Sequence, residues 1–252
     1  MSELRVERDG VALVVTFDRV SAHNAMTFAM YEGLHEACER ADTEDEVRVL
    51  VLRGAGDRAF VSGTDIAQFA GFTGAEGIAY EQRITRVLRR LQDVTVPTVA
   101  AVHGYCIGGG LGLAASCDLR VATRAARFGV PIARTLGNCL SIDTHALLQQ
   151  HLGPARTLDM LLRARLLTGE QAHAAGFVDL AEDLDAAVAE TVDMLAAHAP
   201  LSMWAAKQAT HRLRRAGLPE GDDLVERVYG SADFAGAVAA FVAREPPRWT
   251  GA

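Results

Sequence analysis

The sequence contains few cysteines and none in the arrangement typical of metal sites. Four cysteines occur in 252 residues, and no two of them form a C-x-x-C pair, the close spacing that structural zinc ligands usually show. The first ten residues, MSELRVERDG, contain no apolar signal segment. These features predict a reduced, cytoplasmic protein without disulfides and without a metal site.

Positive charge is also scarce. Lys and Arg total 25 against 32 Asp and Glu, which gives a formal net charge of -7. A protein that gains affinity by neutralising nucleic-acid phosphates normally carries the opposite balance, so no nucleic-acid partner is expected. With 50% hydrophobic residues, the chain is long enough to bury a sizeable core.

One long segment lacks charged residues altogether. Residues 94–117 are uncharged, which is long enough to span a bilayer. Pro97, His103 and five glycines interrupt the segment and would leave a membrane helix poorly supported. The segment is better interpreted as a buried strand, a tight glycine turn and a buried helix beginning near Gly110, so no membrane partner is expected.

Strand, loop and helix patterns alternate along most of the chain. Asp9-Gly10 predicts a hairpin turn, and Thr27 can cap a helix that follows it. The runs 47–54 and 98–103 are rich in apolar residues and predict strands covered on both faces. Residues 76–92 have apolar positions at helical spacing. The pattern is that of an α/β fold.

From about Asp183 onward the pattern is helical only. Pro200 and Pro219 each open an amphipathic helix, and Gly217 separates the two. We therefore divide the chain into a core over 1–195 and a helical C-terminal region over 196–252. Two interpretations of these helices stay open, since they can cover the core or reach another subunit.

Two glycine-bearing turns carry the clearest chemical signal. They span 60–66 (FVSGTDI) and 104–112 (GYCIGGGLG), and each lies between a predicted strand and a helical stretch. Backbone N–H groups at such positions point outward and favour an anion. Two donors converging from separate turns would stabilise the negative charge that develops on a carbonyl oxygen. A purely structural glycine turn is the alternative, and neither turn matches a dinucleotide or nucleotide motif.

Six segments of the sequence together match one known family. They are RVSAHNA at 19–25, RAFVSGTDI at 58–66, PTVAAVHGYCIGGGLG at 97–112, CDLR at 117–120, FGVP at 128–131 and LTGEQAHAAGFVD at 167–179. In their order and spacing the sequence resembles the crotonase superfamily, the enoyl-CoA hydratase/isomerase family. The resemblance implies a spiral of repeated ββα units with a C-terminal helical region that forms homotrimers or dimers of trimers. It also implies an acyl-CoA thioester as ligand, with no cofactor other than the coenzyme A that the substrate carries.

The resemblance assigns roles to individual residues. The backbone N–H groups of Thr64 and Gly109 would form the oxyanion hole around the thioester oxygen. Lys207 is a candidate phosphate ligand, and its alternative role is a charge on a solvated helix face. The substrate-binding set comprises Ala22, His23, Ser62, Asp65, Ile66, Tyr105, Ile107, Pro131, Ile132, Arg134, Asn138 and Leu140.

The sequence departs from the family at its usual acid and base. Hydratases of this family use two glutamates, and the corresponding positions here are Gly112 and Ile132, neither of which can move a proton. Other branches of the family place an acid near the position of Ser141. Asp143, Ser141 and His145 are therefore the candidates for proton transfer.

The acyl end has further unusual polar residues. Arg134 can hold a carboxylate on the acyl group, or it can bind a neighbouring subunit or a helix end. Cys139 is either a reactive thiolate or a buried, inert thiol. Glu81, Arg83 and Arg86 lie on a helix bordering the acyl pocket in relatives, and we expect exposed surface charges there.

The leading hypothesis is an acyl-CoA enzyme of hydratase or isomerase type that stabilises a thioester enolate. The missing glutamate pair argues against simple hydration. Two alternatives stay open: decarboxylation of a carboxylated acyl-CoA, and a non-catalytic acyl-CoA binding protein. A titratable side chain beside the acyl group would favour an enzyme.

Overall fold

A computed structural model describes residues 3–218 and 221–250 of the chain. Strands and helices alternate up to β10, and only helices follow. The strands are β1 Leu4–Asp9, β2 Ala12–Phe17, β3 Val49–Gly54, β4 Ala59–Val61, β5 Thr98–Val102, β6 Tyr105–Ile107, β7 Leu119–Thr123, β8 Arg127–Gly129, β9 Leu167–Thr168 and β10 Asp179–Ala181. The helices are α1 Phe28–Thr43, α2 Gly74–Asp93, α3 Gly109–Ser116, α4 Ile132–Thr135, α5 Ile142–Leu162, α6 Gly169–Ala174, α7 Leu184–Ala196, α8 Pro200–Arg215, α9 Asp222–Tyr229 and α10 Ala232–Ala243.

The strands form two sheets that share the repeats of the chain. The larger sheet has the order β1-β2-β3-β5-β7-β10, and the smaller sheet has the order β4-β6-β8-β9. Three times in succession the chain passes through a strand of the larger sheet, a strand of the smaller sheet and one or two helices: β3-β4-α2, β5-β6-α3 and β7-β8-α4-α5. This confirms the predicted α/β spiral of ββα units.

Central strands of the larger sheet are buried on both faces, as predicted. In β3, Leu50 and Leu52 join the main core cluster, whereas Val49 and Val51 join a second cluster with Leu195 of α7. A parallel sheet covered by helices on both sides has this pattern.

Local signals also place several element boundaries correctly. Gly10 has φ +57° in the turn between antiparallel β1 and β2. The Thr27 hydroxyl accepts a hydrogen bond from the N–H of Met30 and caps α1, and Pro200 is the first residue of α8. Pro219 lies outside the described residues, and α9 begins at Asp222.

The uncharged segment 94–117 forms β5, β6 and α3, which confirms the predicted strand, turn and helix. In the described part of the chain, no helix is long and apolar enough to cross a membrane. After α8 the chain returns to the core, because α9 packs on α2 and α10 packs on the 3-10 helix Ile66–Phe69. These last two helices therefore cover the side of the core where the glycine turns lie.

Candidate functional site

Both glycine turns follow the carboxyl ends of strands in the smaller sheet. β4 and β6 are parallel neighbours, so the turns that follow them lie side by side. Gly63 has φ +115° and Gly108 has φ +55°, and side chains rarely adopt such backbone conformations. A Cβ added to Gly108 would lie 3.6 Å from the Cα of Gly63, so the two turns are in contact.

Helix α3 begins against β4 because no side chain separates the two backbones. A Cβ on Gly110 would lie 2.1 Å from the carbonyl oxygen of Val61, which no real Cβ could do. The absence of a side chain at Gly110 therefore fixes the first turn of α3 beside the end of β4 and beside the Thr64 turn.

Two backbone N–H groups at this junction have no acceptor in the part of the chain that the structure describes. Gly109 is the first residue of α3, where an N–H group has no partner within the helix. Neither its N–H nor that of Thr64 donates a hydrogen bond to another described residue. Both residues line one cavity. Two such donors suit an oxygen that gains negative charge, and the N-terminal end of α3 adds positive potential there.

The Thr64 side chain has a structural role that the sequence did not indicate. Its Oγ1 atom forms hydrogen bonds with the hydroxyl groups of Tyr31, at 2.9 Å, and Tyr80, at 2.8 Å. Both tyrosines are buried, and burial raises the pKa of Tyr31 to about 12. The two neutral tyrosines therefore hold the turn that presents the Thr64 N–H.

The cavity beside these donors has a volume of about 110 Å³. Its walls come from the two turns, from α2 and α3, and from the segment around α4. Most of its lining is apolar, including Ile84 and Leu88 of α2 and Val130. Such a cavity suits an acyl chain next to a polarised thioester.

Glu81 of α2 is the one acidic or basic residue in the described lining of this cavity. It is 6% exposed. Its Oε1 accepts a hydrogen bond from the Tyr229 hydroxyl at 2.8 Å, and its Oε2 accepts one from the N–H of Ser141 at 2.9 Å. Burial raises the pKa of the carboxyl to about 7, although both hydrogen bonds lower it. A carboxyl group with this pKa can exchange a proton at neutral pH.

The expectation that Glu81 is an exposed surface charge is therefore wrong. Glu81 lies three residues before Ile84 and seven before Leu88, on the apolar stripe that α2 turns toward the core. Helical spacing alone would therefore have indicated that this carboxylate faces the core.

Helix α9 reaches Glu81 because two glycines of α2 leave room for it. A Cβ on Gly77 would lie 2.3 Å from the Tyr229 side chain, and one on Gly74 would lie 2.6 Å from the carbonyl oxygen of Glu226. The Tyr229 hydroxyl also accepts a hydrogen bond from Nδ2 of Asn138 at 3.2 Å. Asn138, Tyr229 and Glu81 thus form a hydrogen-bonded chain at the end of the cavity.

Many residues of the predicted substrate-binding set lie around this cavity, as does Gly112. Those that line it are Ser62, Ile66, Ile107, Pro131, Ile132, Asn138 and Leu140. Gly112 and Ile132 both face the cavity, so the two positions that lack a carboxylate border the same space as Glu81.

Four other predicted residues do not line the cavity: Ala22, His23, Asp65 and Tyr105. Ser62 donates hydrogen bonds to the carbonyl oxygens of Ala22 and His23, from Oγ at 3.4 Å and from N at 3.2 Å respectively. Asp65 caps the 3-10 helix through the N–H of Ala67 and forms an ion pair with an arginine. Tyr105 is 43% exposed.

The proton-transfer candidates from the sequence lie elsewhere. Asp143 is 8% exposed, and its carboxylate binds Arg89 at 2.6 Å and Arg214 at 3.1 Å. Ser141 caps α5 with its hydroxyl, and His145 pairs with Gln149. None of the three candidates belongs to the cavity lining. Asp143 is held by two guanidinium groups outside the cavity lining, so its carboxylate is not placed to contact a ligand there.

Three polar residues with alternative roles have clear surroundings. Arg134 is exposed on α4 and does not line the cavity. Burial raises the pKa of the Cys139 thiol to about 12, which agrees with an inert thiol. Lys207 is buried and pairs with Asp118 at 2.6 Å, so it is neither a solvated charge nor an accessible phosphate ligand. Within 3–218 and 221–250, no group of three or more His, Cys, Asp or Glu side chains could hold a metal ion.

Comparisons with known proteins agree with this geometry. The family model described as enoyl-CoA hydratase/isomerase matches residues 7–252. The chain is 32% identical to 2,3-dehydroadipyl-CoA hydratase of Escherichia coli, with 100% of both chains covered. It is 30% identical to a probable enoyl-CoA hydratase of Mycobacterium tuberculosis over 97% of this chain and 96% of the relative.

Solved structures extend the likeness to three dimensions. An enoyl-CoA hydratase/carnitine racemase from Magnetospirillum magneticum is 33% identical with a TM-score of 0.80, covering 100% of this chain and 97% of the other. A methylmalonyl-CoA decarboxylase has a TM-score of 0.90 at 21% identity, covering 100% and 99%, and this likeness shows the fold alone. With its ββα spiral, its paired glycine turns and a family match over nearly its whole length, the chain belongs to the enoyl-CoA hydratase/isomerase family.

Proposed function

We propose that this protein is an enoyl-CoA isomerase, which moves a double bond along a short acyl chain by way of a thioester enolate. The observation that carries the proposal is the position of Glu81. It is the single carboxyl in the described lining of a cavity that also contains the two unpaired N–H groups. One carboxyl that takes up a proton and returns it is sufficient for this reaction.

The proton and the electrons balance within the site. The Glu81 carboxylate takes a proton from C2 of a 3-enoyl thioester, and the electron pair spreads over the diene and the thioester oxygen. The N–H groups of Thr64 and Gly109 donate hydrogen bonds to that oxygen while it is negative. The protonated Glu81 then returns the proton to C4, and the product is the 2-enoyl thioester. No cofactor is needed beyond the coenzyme A of the substrate.

Hydration is less well supported. In this family it uses two glutamates, at positions that here are Gly112 and Ile132. Glu81 could activate water or protonate carbon, but no second carboxyl borders the described cavity to share the work.

Decarboxylation has no supporting contact either. A carboxylated acyl group calls for a cation, and the described lining contains no Lys, Arg or His. Arg134, which the sequence suggested for this role, is exposed outside the cavity. The Glu81 carboxyl would instead repel a second carboxylate.

The size of the cavity favours a short acyl group. Its volume of about 110 Å³ is smaller than the cavity of ~150 Å³ that accommodates benzene in an engineered protein. Coenzyme A would then extend past Ser62, where Ala22 and His23 border the turn.

The test is to incubate the protein with 3-enoyl-, 2-enoyl- and carboxylated acyl-CoA thioesters of about four to six carbons, since the cavity is smaller than one that accommodates benzene. Mass spectrometry and the absorbance of the conjugated thioester follow the products. We expect conversion of 3-enoyl to 2-enoyl thioester without a change in mass in ordinary water. Gain of water, loss of carbon dioxide, or tight binding without turnover would each replace the proposal by one of its alternatives.

We also propose that the chain self-associates through α8, with a second copy of the chain as the partner. Several large apolar side chains are exposed on this helix, as is common for surfaces that contact another subunit. They are Leu201, Trp204 and Leu213. Sedimentation at micromolar concentration should show trimers or hexamers, and Leu213→Glu should shift the distribution to smaller species. A wild-type monomer would contradict the proposal.

A further inference from the structure

Behind the acyl cavity lies a second cavity, which opens to the surface. We call it the α2–α9 groove; it has a volume of about 360 Å³ and lies between α2, the start of α5 and the start of α9. Gln82, Arg86, Arg89 and Asp222 are exposed along it. Water can therefore enter this groove without passing the glycine turns.

Glu81 is the one residue that belongs to the described linings of both cavities. Its Oε2 accepts the hydrogen bond from the N–H of Ser141, and Ser141 lines the groove. From there polar groups continue outward, because the Ser141 hydroxyl forms a hydrogen bond with Oγ1 of Thr85 at 3.1 Å. On the acyl side, Ile84 and Leu88 offer no such path, and Asn138 is connected to Glu81 only through the Tyr229 hydroxyl.

Given the isomerase function proposed above, we propose that Glu81 exchanges its proton with solvent through the α2–α9 groove while the acyl cavity is occupied. The proton taken from C2 forms the O–H bond of the Glu81 carboxyl. Water in the groove accepts this proton and returns another, so the carboxyl is protonated again and no electrons are transferred. Return of the proton to C4 then competes with exchange.

In this proposal the site has two openings, and each opening has its own function. The thioester enters past the glycine turns, whereas protons and water reach the carboxyl from behind. In heavy water, part of the isomerised product should therefore contain deuterium at C4, even in a single turnover.

The experiment measures the deuterium content of the 2-enoyl product formed from a 3-enoyl-CoA in heavy water. Thr85→Met fills the groove beside Ser141, and Thr43→Met makes the same change at an exposed position at the end of α1. We expect Thr85→Met to isomerise at a rate similar to wild type while its product contains about tenfold less deuterium, as ~1.4 kcal/mol added to the exchange barrier would produce. Thr43→Met should match wild type in both measurements.

A second variant protects the test against misfolding of the first. Gln82 is exposed at the groove, so Gln82→Trp covers the opening without changing the core, and it should also lower deuterium incorporation. Isomerisation by wild type without deuterium in the product would overturn the exchange route and leave the isomerase proposal intact. Wild-type deuterium content in the products of both groove variants would also overturn the exchange route and leave the isomerase proposal intact. Absence of isomerisation in wild type would instead refute the proposed function.

Discussion

Replacement of Glu81 by glutamine tests the proton-transfer proposal with minimal change in shape. Glutamine has nearly the volume of glutamate, and its amide can still form hydrogen bonds with the Ser141 N–H and the Tyr229 hydroxyl, the two partners of the carboxyl. It cannot take a proton from carbon. The apolar walls and the two N–H donors stay in place, so the variant should bind acyl-CoA thioesters.

Loss of a positioned acid–base group typically lowers a rate by about 10²- to 10⁴-fold. For Glu81→Gln we expect a decrease of this size in kcat with little change in KM. Glu76→Gln is the matched control, because Glu76 lies on the same helix but is exposed in the capping box at the start of α2. This control should keep wild-type kcat.

The pH dependence supplies a second measurement. Since burial raises the pKa of Glu81 to about 7, the carboxylate that acts as base forms only as the pH rises through that value. The kcat/KM of the wild type should therefore increase with pH, reach half of its maximum near pH 7 and level off at higher pH. The residual activity of Glu81→Gln should lack this midpoint.

The free energy of unfolding should decrease as the pH rises, whereas kcat/KM increases. The folded-state pKa of about 7 lies above the ordinary value of 4.5, so between these values the folded state binds more protons than the unfolded state. The contribution of Glu81 to stability is present below the lower value and is lost as the pH rises through the higher one. At 1.36 kcal/mol per pKa unit, the loss is about 3 kcal/mol.

Urea unfolding at pH values below, within and above this window measures that loss. Wild type should lose stability relative to Glu81→Gln as the pH rises, because the variant has no carboxyl to ionise at this position. If Glu81→Gln keeps more than about a tenth of wild-type kcat, the role of Glu81 as base is refuted, because the loss of activity is then well below the expected range. An unchanged stability difference across the window would refute the raised pKa.

Three further tests concern the Gly109 donor, the packing of α3 and a buried ion pair. Gly109→Pro removes an N–H donor and should lower kcat about 10²- to 10³-fold. Gly109→Ala keeps the donor and should lose less, although its Cβ would lie 2.6 Å from the Tyr31 hydroxyl and displace it. Gly110→Ala places a Cβ 2.1 Å from a backbone oxygen and should cost at least 1–3 kcal/mol in unfolding experiments, roughly as overpacking does. Gly112→Ala, with 3.4 Å to its nearest neighbour, should retain wild-type stability. Asp118→Asn leaves Lys207 buried without its counter-charge and should destabilise the fold by about 3–5 kcal/mol; a change below 1 kcal/mol would contradict a role for that pair.

The features predicted correctly from the sequence are those that local chemistry determines. Strands buried on both faces, the Thr27 cap and the Pro200 helix start each depend on a few neighbouring residues. The two turns also have local signals, because glycine occupies positions 63 and 108, where the backbone adopts positive φ values. Their contact follows from the parallel pairing of β4 and β6, which repeated strand, turn and helix patterns imply.

Helical spacing in α2 could have placed Glu81 on the buried stripe, but its partners and those of Asp143 depend on contacts between distant segments. Glu81 is separated by 148 positions from Tyr229, the hydroxyl of which it binds, and nothing local indicates that α9 returns to α2. Asp143 attracted attention because it is near an expected acid position, yet Arg89 and Arg214 reach it from two other helices. Burial and ion pairing between elements therefore decided which carboxyl faces the cavity.

The two halves of the site depend on different parts of the chain. Backbone N–H groups at Thr64 and Gly109 are fixed by turns, so changes of neighbouring side chains leave the donors in place. A carboxyl group can enter the cavity from any element that borders it. Gly112 of α3 lies near Leu88 of α2, and Glu81 lies two turns before Leu88 on the same stripe. Two turns of helix correspond to about 10 Å, so the Glu81 carboxyl borders the same cavity as Gly112 but at a different point. In the proposed mechanism, proton transfer therefore depends on α9, which holds Glu81 through Tyr229, whereas polarisation of the thioester does not.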